Sequence, residues 1–123
     1  MKAVSEYLYF LKSKGRLLSE INSGSDEVAL SANEALEAIK LLKASETPIL
    51  GGDILSTNSG KLTYAYQSWG TKYHYLNWYC DKLKNESKID FTKRSHKIAR
   101  KAIKEAVEIA QKLKKDCLIV LVI

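Results

Sequence analysis

The chain has 123 residues, of which 46% are hydrophobic and 28% charged, and its formal net charge is +6. This length and composition are typical of one globular domain, which buries enough apolar surface to fold without a metal ion or a disulfide. Two independent domains with a cleft between them are excluded, so we predict a single domain over residues 1–123.

The first predicted element is a helix over residues 2–14. Tyr7, Leu8 and Leu11 recur there at helical spacing, and Gly15 follows them. Glycine is common just beyond the last turn of a helix because it adopts the left-handed conformation without strain.

A second helix is marked by its own start signal. Ser31 and Glu34 have the spacing of a capping box, in which each side chain binds an exposed backbone N–H near the other residue. We expect this helix to end at Pro48, because the residue before a proline disfavours helix.

Strands are predicted through the middle of the chain. Residues 49–56 form a strand pattern interrupted by the glycine pair 51–52, which indicates either a bulge or a close backbone approach. Residues 57–60 resemble a turn, and 62–66 form the returning strand of a hairpin. Residues 73–80 are rich in the aromatic residues that favour strands, so we predict a further strand there.

The longest predicted element is a helix over residues 87–115, with Ser87 as its N-cap and Asp90 three residues later. Residues 117–123 form an unbroken apolar run, which is typical of a strand covered on both faces. The apolar stripe of the helix comprises Phe91, Ile98, Ala102, Ala106, Ile109 and Leu113. We predict an α+β fold with about three helices on a mixed or mostly antiparallel sheet of four to five strands.

The apolar runs near both ends are too short for a signal-peptide core or a membrane span. We therefore expect a cytoplasmic protein that makes no membrane contact, with Cys80 and Cys117 as free thiols. Neither cysteine pairs with His74 or His96 at the spacing of a metal site or in a catalytic signature, and no glycine-rich phosphate loop is present. The sequence predicts no enzymatic activity, no metal and no cofactor.

All of the excess positive charge lies in the last third of the chain. Residues 81–123 carry twelve basic and six acidic side chains, whereas residues 1–50 carry six basic and seven acidic ones. A nucleic-acid-binding accessory protein is therefore the alternative, but the interleaved acidic residues and the absence of an RNA-binding motif argue against nucleic acid as the partner. That alternative would use Lys93, Arg94, Lys97, Arg100, Lys101 and Lys104.

Seven of the eleven aromatic residues lie within positions 64–79. Strand alternation sends such residues to both faces, so some enter the core and others are exposed, where tyrosine and tryptophan anchor protein interfaces. Asp53 is the only acidic residue between Glu46 and Asp81, and it either accepts hydrogen bonds from a bulge or a tyrosine or faces a partner. The candidate protein-binding residues are Asp53, Tyr64, Tyr66, Trp69, Tyr73 and Tyr75.

Three stretches in this order are together distinctive: residues 49–54 with Gly51-Gly52-Asp53, residues 77–81 with Asn77-Trp78-Tyr79, and residues 85–87 leading through Arg94-Ser95 to Ala99. Over about residues 30–110 the chain resembles the immunity protein 40 family of bacterial polymorphic toxin systems. The resemblance implies a small cytoplasmic antitoxin that binds a cognate toxin domain and blocks it sterically. It implies no cofactor and no catalytic residue. We expect a monomer, or a homodimer through the aromatic surface.

Overall fold

The computed structural model describes the backbone of residues 2–123 and the side chains of residues 6–123. Residues 2–123 form four α-helices, three of them long, and six β-strands, all paired antiparallel. The helices are α1 (Lys2–Lys14), α2 (Ala32–Ala44), α3 (Ala65–Trp69) and α4 (Lys88–Leu113). The strands are β1 (Arg16–Leu17), β2 (Val28–Ser31), β3 (Gly51–Asn58), β4 (Lys61–Tyr64), β5 (Trp78–Tyr79) and β6 (Leu118–Val122). The predicted α+β class is confirmed, with slightly more strands than expected.

The sheet has the order β1-β2-β6-β3-β4, and β5 pairs with β3 as a sixth strand off this path. The C-terminal strand β6 therefore lies between β2 and β3, and Ile119, Val120 and Leu121 are all buried. Alternate residues of a strand point to opposite faces, so both faces of β6 are covered, as the unbroken apolar run predicted.

Apolar side chains form two clusters, one on each face of the sheet. The larger cluster joins Leu30, Ile54 and Ile119 of the sheet to residues of α2 and α4, among them Leu42 and Ile103. The smaller cluster lies on the other face. It consists of Leu18, Ala29, Leu55, Leu62 and Val120, with Tyr64 and Leu118 at its margin. We call this second face the open face, because no α-helix contributes a side chain to its described apolar cluster.

The predicted helix N-caps and the predicted turn are confirmed, whereas α2 ends at Ala44, before the expected Pro48. Ser31 accepts a hydrogen bond from the Glu34 N–H while the Glu34 carboxylate accepts one from the Ser31 N–H, so the capping box is complete. Ser87 caps α4 through the Asp90 N–H. The β3–β4 hairpin closes through Ser59 and Gly60, whose φ angles of 53° and 79° match the type I′ turn that suits paired strands.

The predicted strand over residues 73–80 is wrong. Residues Thr71–Leu76 form a 3-10 helix, and only Trp78 and Tyr79 pair with β3. β4 pairs with residues 55–58 of β3 and so occupies most of that edge of the strand. Only Gly51 and Gly52 pair with β5 there, which limits β5 to two residues. The 3-10 repeat of three residues then places Tyr73 and Leu76 together against the larger cluster.

The glycine pair in β3 permits a close approach and forms no bulge. The pairing with β6 runs without a break from Gly51 with Val122 to Leu55 with Leu118. A Cβ atom at Gly51 would overlap the Trp78 carbonyl oxygen, and one at Gly52 would overlap the Trp78 ring. The indole N–H of Trp78 is buried and has no acceptor among the described residues. Packing against glycine therefore sets the position of this ring.

The buried face of α4 contains polar residues that its apolar stripe did not predict. Ser95 accepts a hydrogen bond from the Ile49 N–H at 3.0 Å, and the His96 ring binds the Thr47 carbonyl oxygen at 2.7 Å. His96 is 3% exposed, so this polar ring is part of the buried face of α4. These two contacts hold the segment that leads into β3 against the helix.

Arg94 holds the loop before α4 in the same way. Its guanidinium binds both carboxylate oxygens of Glu86, at 2.7 and 2.8 Å, and also the Asp81 carbonyl oxygen and the Cys80 sulfur. The hydrogen bond to Arg94 lowers the pKa of Glu86 from its ordinary value of 4.5 to about 2.

We expect Gly52→Ala to lower the free energy of unfolding by about 1–3 kcal/mol, because the added methyl group must displace the Trp78 ring. Chemical denaturation measures this change. Gly60→Ala is the control, since its Cβ meets open space and only its left-handed φ is strained, which costs about 1 kcal/mol. The close-approach explanation is wrong if the two variants lose equal stability, or if Trp78→Leu does not relieve the Gly52→Ala defect.

The Glu86–Arg94 pair predicts a specific loss of stability in acid. Because the pKa of Glu86 is lower in the folded protein, its ionised form stabilises the fold above about pH 4.5, and this contribution disappears as the pH falls toward 2. Glu86→Gln should therefore flatten the fall in unfolding midpoint between pH 4.5 and 2. Glu105→Gln removes an exposed carboxylate of α4 that has no ion-pair partner among the described side chains, and it should leave the slope unchanged.

Candidate functional site

The open face exposes one connected group of polar and aromatic side chains. Asp53 is paired with Val120 and Leu55 with Tyr64, so these four positions share that face. We name the group beside them the acidic–aromatic patch. It consists of Glu27, Asp53, Tyr64, Tyr66 and His74.

The aromatic part of the patch is a row of three rings. Tyr64 and Tyr66 stack with their centroids 5.8 Å apart and an interplanar angle of 24°. His74 meets Tyr66 edge to face, at 4.6 Å and 77°. Both geometries are favourable for aromatic rings. The end of β4, the start of α3 and the 3-10 helix each contribute one ring, so three consecutive elements build the row.

Asp53 lies half-buried beside these rings, and its carboxylate has no hydrogen-bond partner among the side chains of residues 6–123. Burial raises the pKa of Asp53, and the nearby His74 partly opposes that effect. The expectation that Asp53 accepts hydrogen bonds from a bulge or a tyrosine is therefore wrong, because β3 has no bulge and no such bond forms in the described structure. The carboxylate is available to an outside partner.

Glu27 adds a second carboxylate to the patch. Burial raises the pKa of Glu27, and repulsion from Asp53 and Asp26 raises it further. The same charges act on Tyr64, whose pKa is raised first by burial and then by Asp53. The Glu27 and Asp53 carboxylates therefore give the patch its acidic character.

The structure divides the six candidate binding residues into three groups. Asp53, Tyr64 and Tyr66 come together in the patch. Trp69 and Tyr73 pack against the larger cluster, with their rings perpendicular at 6.2 Å. Tyr75 is 59% exposed on the 3-10 helix.

Two patch residues were absent from the candidate set. His74 was expected to lie on a strand, but it lies on the 3-10 helix, where its ring contacts that of Tyr66. Glu27 immediately precedes β2 and approaches Asp53 through the pairing of β2 and β3 with β6. No signal in the sequence around Glu27 indicates that approach.

The basic residues proposed for nucleic-acid binding do not all remain available. Arg94 is occupied by Glu86 and by the Asp81 carbonyl oxygen. The other five, Lys93, Lys97, Arg100, Lys101 and Lys104, are exposed along α4.

The described residues also show no metal-binding cluster, no disulfide and no helix that could span a membrane. Among residues 6–123, no three metal-binding side chains converge. Both cysteines are free, and burial raises the pKa of the Cys117 thiol to about 11, so it is not a nucleophile at neutral pH. None of the described helices combines the length and apolar character that crossing a bilayer requires.

The three distinctive sequence stretches meet in one set of structural contacts. The Ile54 N–H donates to Asn77 Oδ1 at 2.8 Å, Trp78 packs on Gly52, and Ser95 binds the Ile49 N–H. These residues hold the fold. Asp53 belongs to the first stretch but makes no comparable internal contact, and its side chain lies on the open face instead.

A protein-family model described as Immunity protein 40 matches residues 17–123. The match includes every residue of the acidic–aromatic patch, and it extends beyond residues 30–110 to both β1 and β6. No curated protein and no solved structure matches the chain.

Asp53→Asn should leave the thermal unfolding midpoint at pH 7 equal to or higher than that of the unaltered chain. Its raised pKa means that the charged carboxylate is less favourable in the folded than in the unfolded protein, so this charge costs stability above its titration range. Circular dichroism melts from pH 3 to pH 8 measure the effect, with the exposed Asp81→Asn as the control. A lower midpoint for Asp53→Asn would assign this carboxylate a structural role.

Proposed function

Because the chain belongs to the immunity protein 40 family, we propose that it is an antitoxin-like immunity protein that binds and sterically neutralises a cognate bacterial polymorphic toxin domain. The acidic–aromatic patch is the proposed contact surface. The chain acts as one immunity domain over residues 1–123, in the cytoplasm, without catalysis and without a cofactor.

The unpartnered carboxylate of Asp53 is the observation that carries the choice of surface. A half-buried charge without a hydrogen-bond partner lowers the stability of the free protein, so a role in the fold does not account for it. A cationic side chain from the toxin would compensate it at the centre of the contact. The stacked rings of Tyr64 and Tyr66 supply apolar area around that ion pair with little loss of side-chain entropy.

The patch also defines the chemistry of the proposed toxin surface. Although the whole chain is basic, Glu27 and Asp53 make this part of the open face acidic. The toxin surface that fits it carries lysine or arginine and a flat apolar area. Opposite charges of this kind accelerate association and favour the correct partner. A toxin that binds nucleic acid with a basic surface has this character.

Co-expression with the terminal domain of the toxin encoded by the neighbouring gene tests the proposal. We expect the unaltered chain to restore growth and Asp53→Lys to abolish rescue, because like charges would meet at the contact. Tyr66→Ala should weaken binding by about 30-fold, the effect of losing one interface anchor of about 2 kcal/mol. Calorimetry with the purified toxin domain measures the affinity.

Tyr9→Ala is the matched control. Tyr9 lies on α1 and is 74% exposed. The Tyr9→Ala variant removes the same kind of ring outside the patch, so it should bind the toxin domain within about threefold of the unaltered chain. Thermal melts confirm that each variant is folded. If the toxin binds the chain while Asp53→Lys and Tyr66→Ala retain full affinity, the family role stands and the patch is not the contact surface.

A salt titration with random-sequence DNA addresses the nucleic-acid alternative. Neutralisation of phosphates by lysine and arginine gives affinity that falls steeply with salt. We expect weak binding to DNA that Asp53→Lys does not reduce. Submicromolar DNA binding at 150 mM salt, tighter than the ordinary non-specific range of about 10⁻⁴–10⁻⁶ M, would favour the alternative.

A further inference from the structure

A second charged surface lies on the helical side of the sheet, away from the open face. The end of α2 and the first half of α4 enclose a groove of about 400 Å³. Because α2 and α4 pack on the larger cluster and the patch lies beside the smaller one, a domain seated on the patch leaves this groove uncovered. The groove is therefore a separate surface from the proposed toxin contact.

The charge of the groove is strongly unbalanced. Four cations line it against one carboxylate, that of Glu46. The cations are Lys43, Lys88, Lys93 and Arg100. None of the four forms an ion pair within the part of the chain that has described side chains. They repel one another in the free protein, and an anion placed among them would relieve that repulsion.

His96 forms a neutral part of the groove wall. Its Nε2 donates to the Thr47 carbonyl oxygen, so the neutral ring carries its one proton on Nε2. Burial lowers the pKa of His96, and Arg100 and Lys43 lower it further, while the hydrogen bond to Thr47 opposes them. The imidazole therefore adds no positive charge at neutral pH, and the four flexible cations supply the attraction.

The groove also contains an apolar contact. Ile89 lines it and is 61% exposed, a large fraction for an isoleucine beside a concave surface. The one ring in the lining, that of His96, is 3% exposed and cannot stack on a base, whereas surfaces that bind single-stranded nucleic acid combine positive charge with rings that stack on bases.

We infer that this groove is a docking site for an acidic segment of a partner protein, in which carboxylates bind the four cations and one apolar side chain covers Ile89. A peptide segment can place an aliphatic side chain beside its carboxylates, whereas the bases of a nucleic acid would need exposed rings that the groove lacks. The docking site is thus a second interaction surface of opposite sign to the acidic–aromatic patch.

A labelled ten-residue peptide of glutamates with one central leucine is the probe, and fluorescence anisotropy with the full chain is the measurement. Replacing both Lys88 and Lys93 by glutamine should weaken binding about tenfold, which corresponds to losing two charge-assisted contacts. Lys101→Gln with Lys104→Gln is the matched control, because both lysines are exposed on the same helix outside the groove and the net charge changes equally. That control should change affinity less than about threefold.

The apolar part of the inference has its own test. Ile89→Ser should lower the affinity for the leucine-containing peptide by about fivefold, because one covered apolar contact is lost. The affinity for an all-glutamate peptide should not change. Circular dichroism confirms that each variant is folded. The inference is overturned if the peptide does not bind, if both lysine double variants lose affinity equally, or if a sixteen-nucleotide single-stranded DNA binds as tightly as the peptide.

Discussion

The contact between Trp78 and the glycines of β3 determines how the rest of the molecule is arranged. With no side chain at Gly51 or Gly52, the backbone and ring of Trp78 close on the strand, and β5 pairs there. Asn77 is then placed to bind the Ile54 N–H, and Cys80 to bind the Leu50 carbonyl oxygen. The loop that follows is fixed to α4 by Arg94, so one close approach connects the sheet edge to the longest helix.

Features decided by neighbouring residues were predictable from the sequence. The capping box at Ser31, the N-cap at Ser87 and the burial of β6 follow from spacing and composition. The predicted strand over residues 73–80 was wrong because a segment with strand propensity needs a free sheet edge to pair with. β4 occupies most of that edge of β3. Polar residues inside α4 were missed for a similar reason, since Ser95 and His96 are buried by hydrogen bonds to a distant segment.

The candidate site was predictable only in part. The isolation of Asp53 among uncharged residues indicated an unusual role, and Tyr64 follows from the hairpin, whereas Tyr66 lies on α3 and not on the predicted strand. Trp69 and Tyr73 turned inward because the chain leaves the sheet after Tyr64 and packs α3 and the 3-10 helix against the larger cluster. Glu27 and His74 reach the patch through strand order and ring packing, which sequence spacing does not encode.

The row of rings projects from a part of the fold that internal contacts hold in place, so the outer side chains and the backbone beneath them are under different structural constraints. Trp78 and Asn77 hold the β3 backbone on either side of Asp53, whereas Tyr64, Tyr66 and His74 project from the hairpin end and the segments after it. Replacing Tyr66 or His74 alters shape and charge at the outer end of the row, whereas Tyr64 also packs against the smaller cluster. The same framework can therefore present different side chains at that outer end.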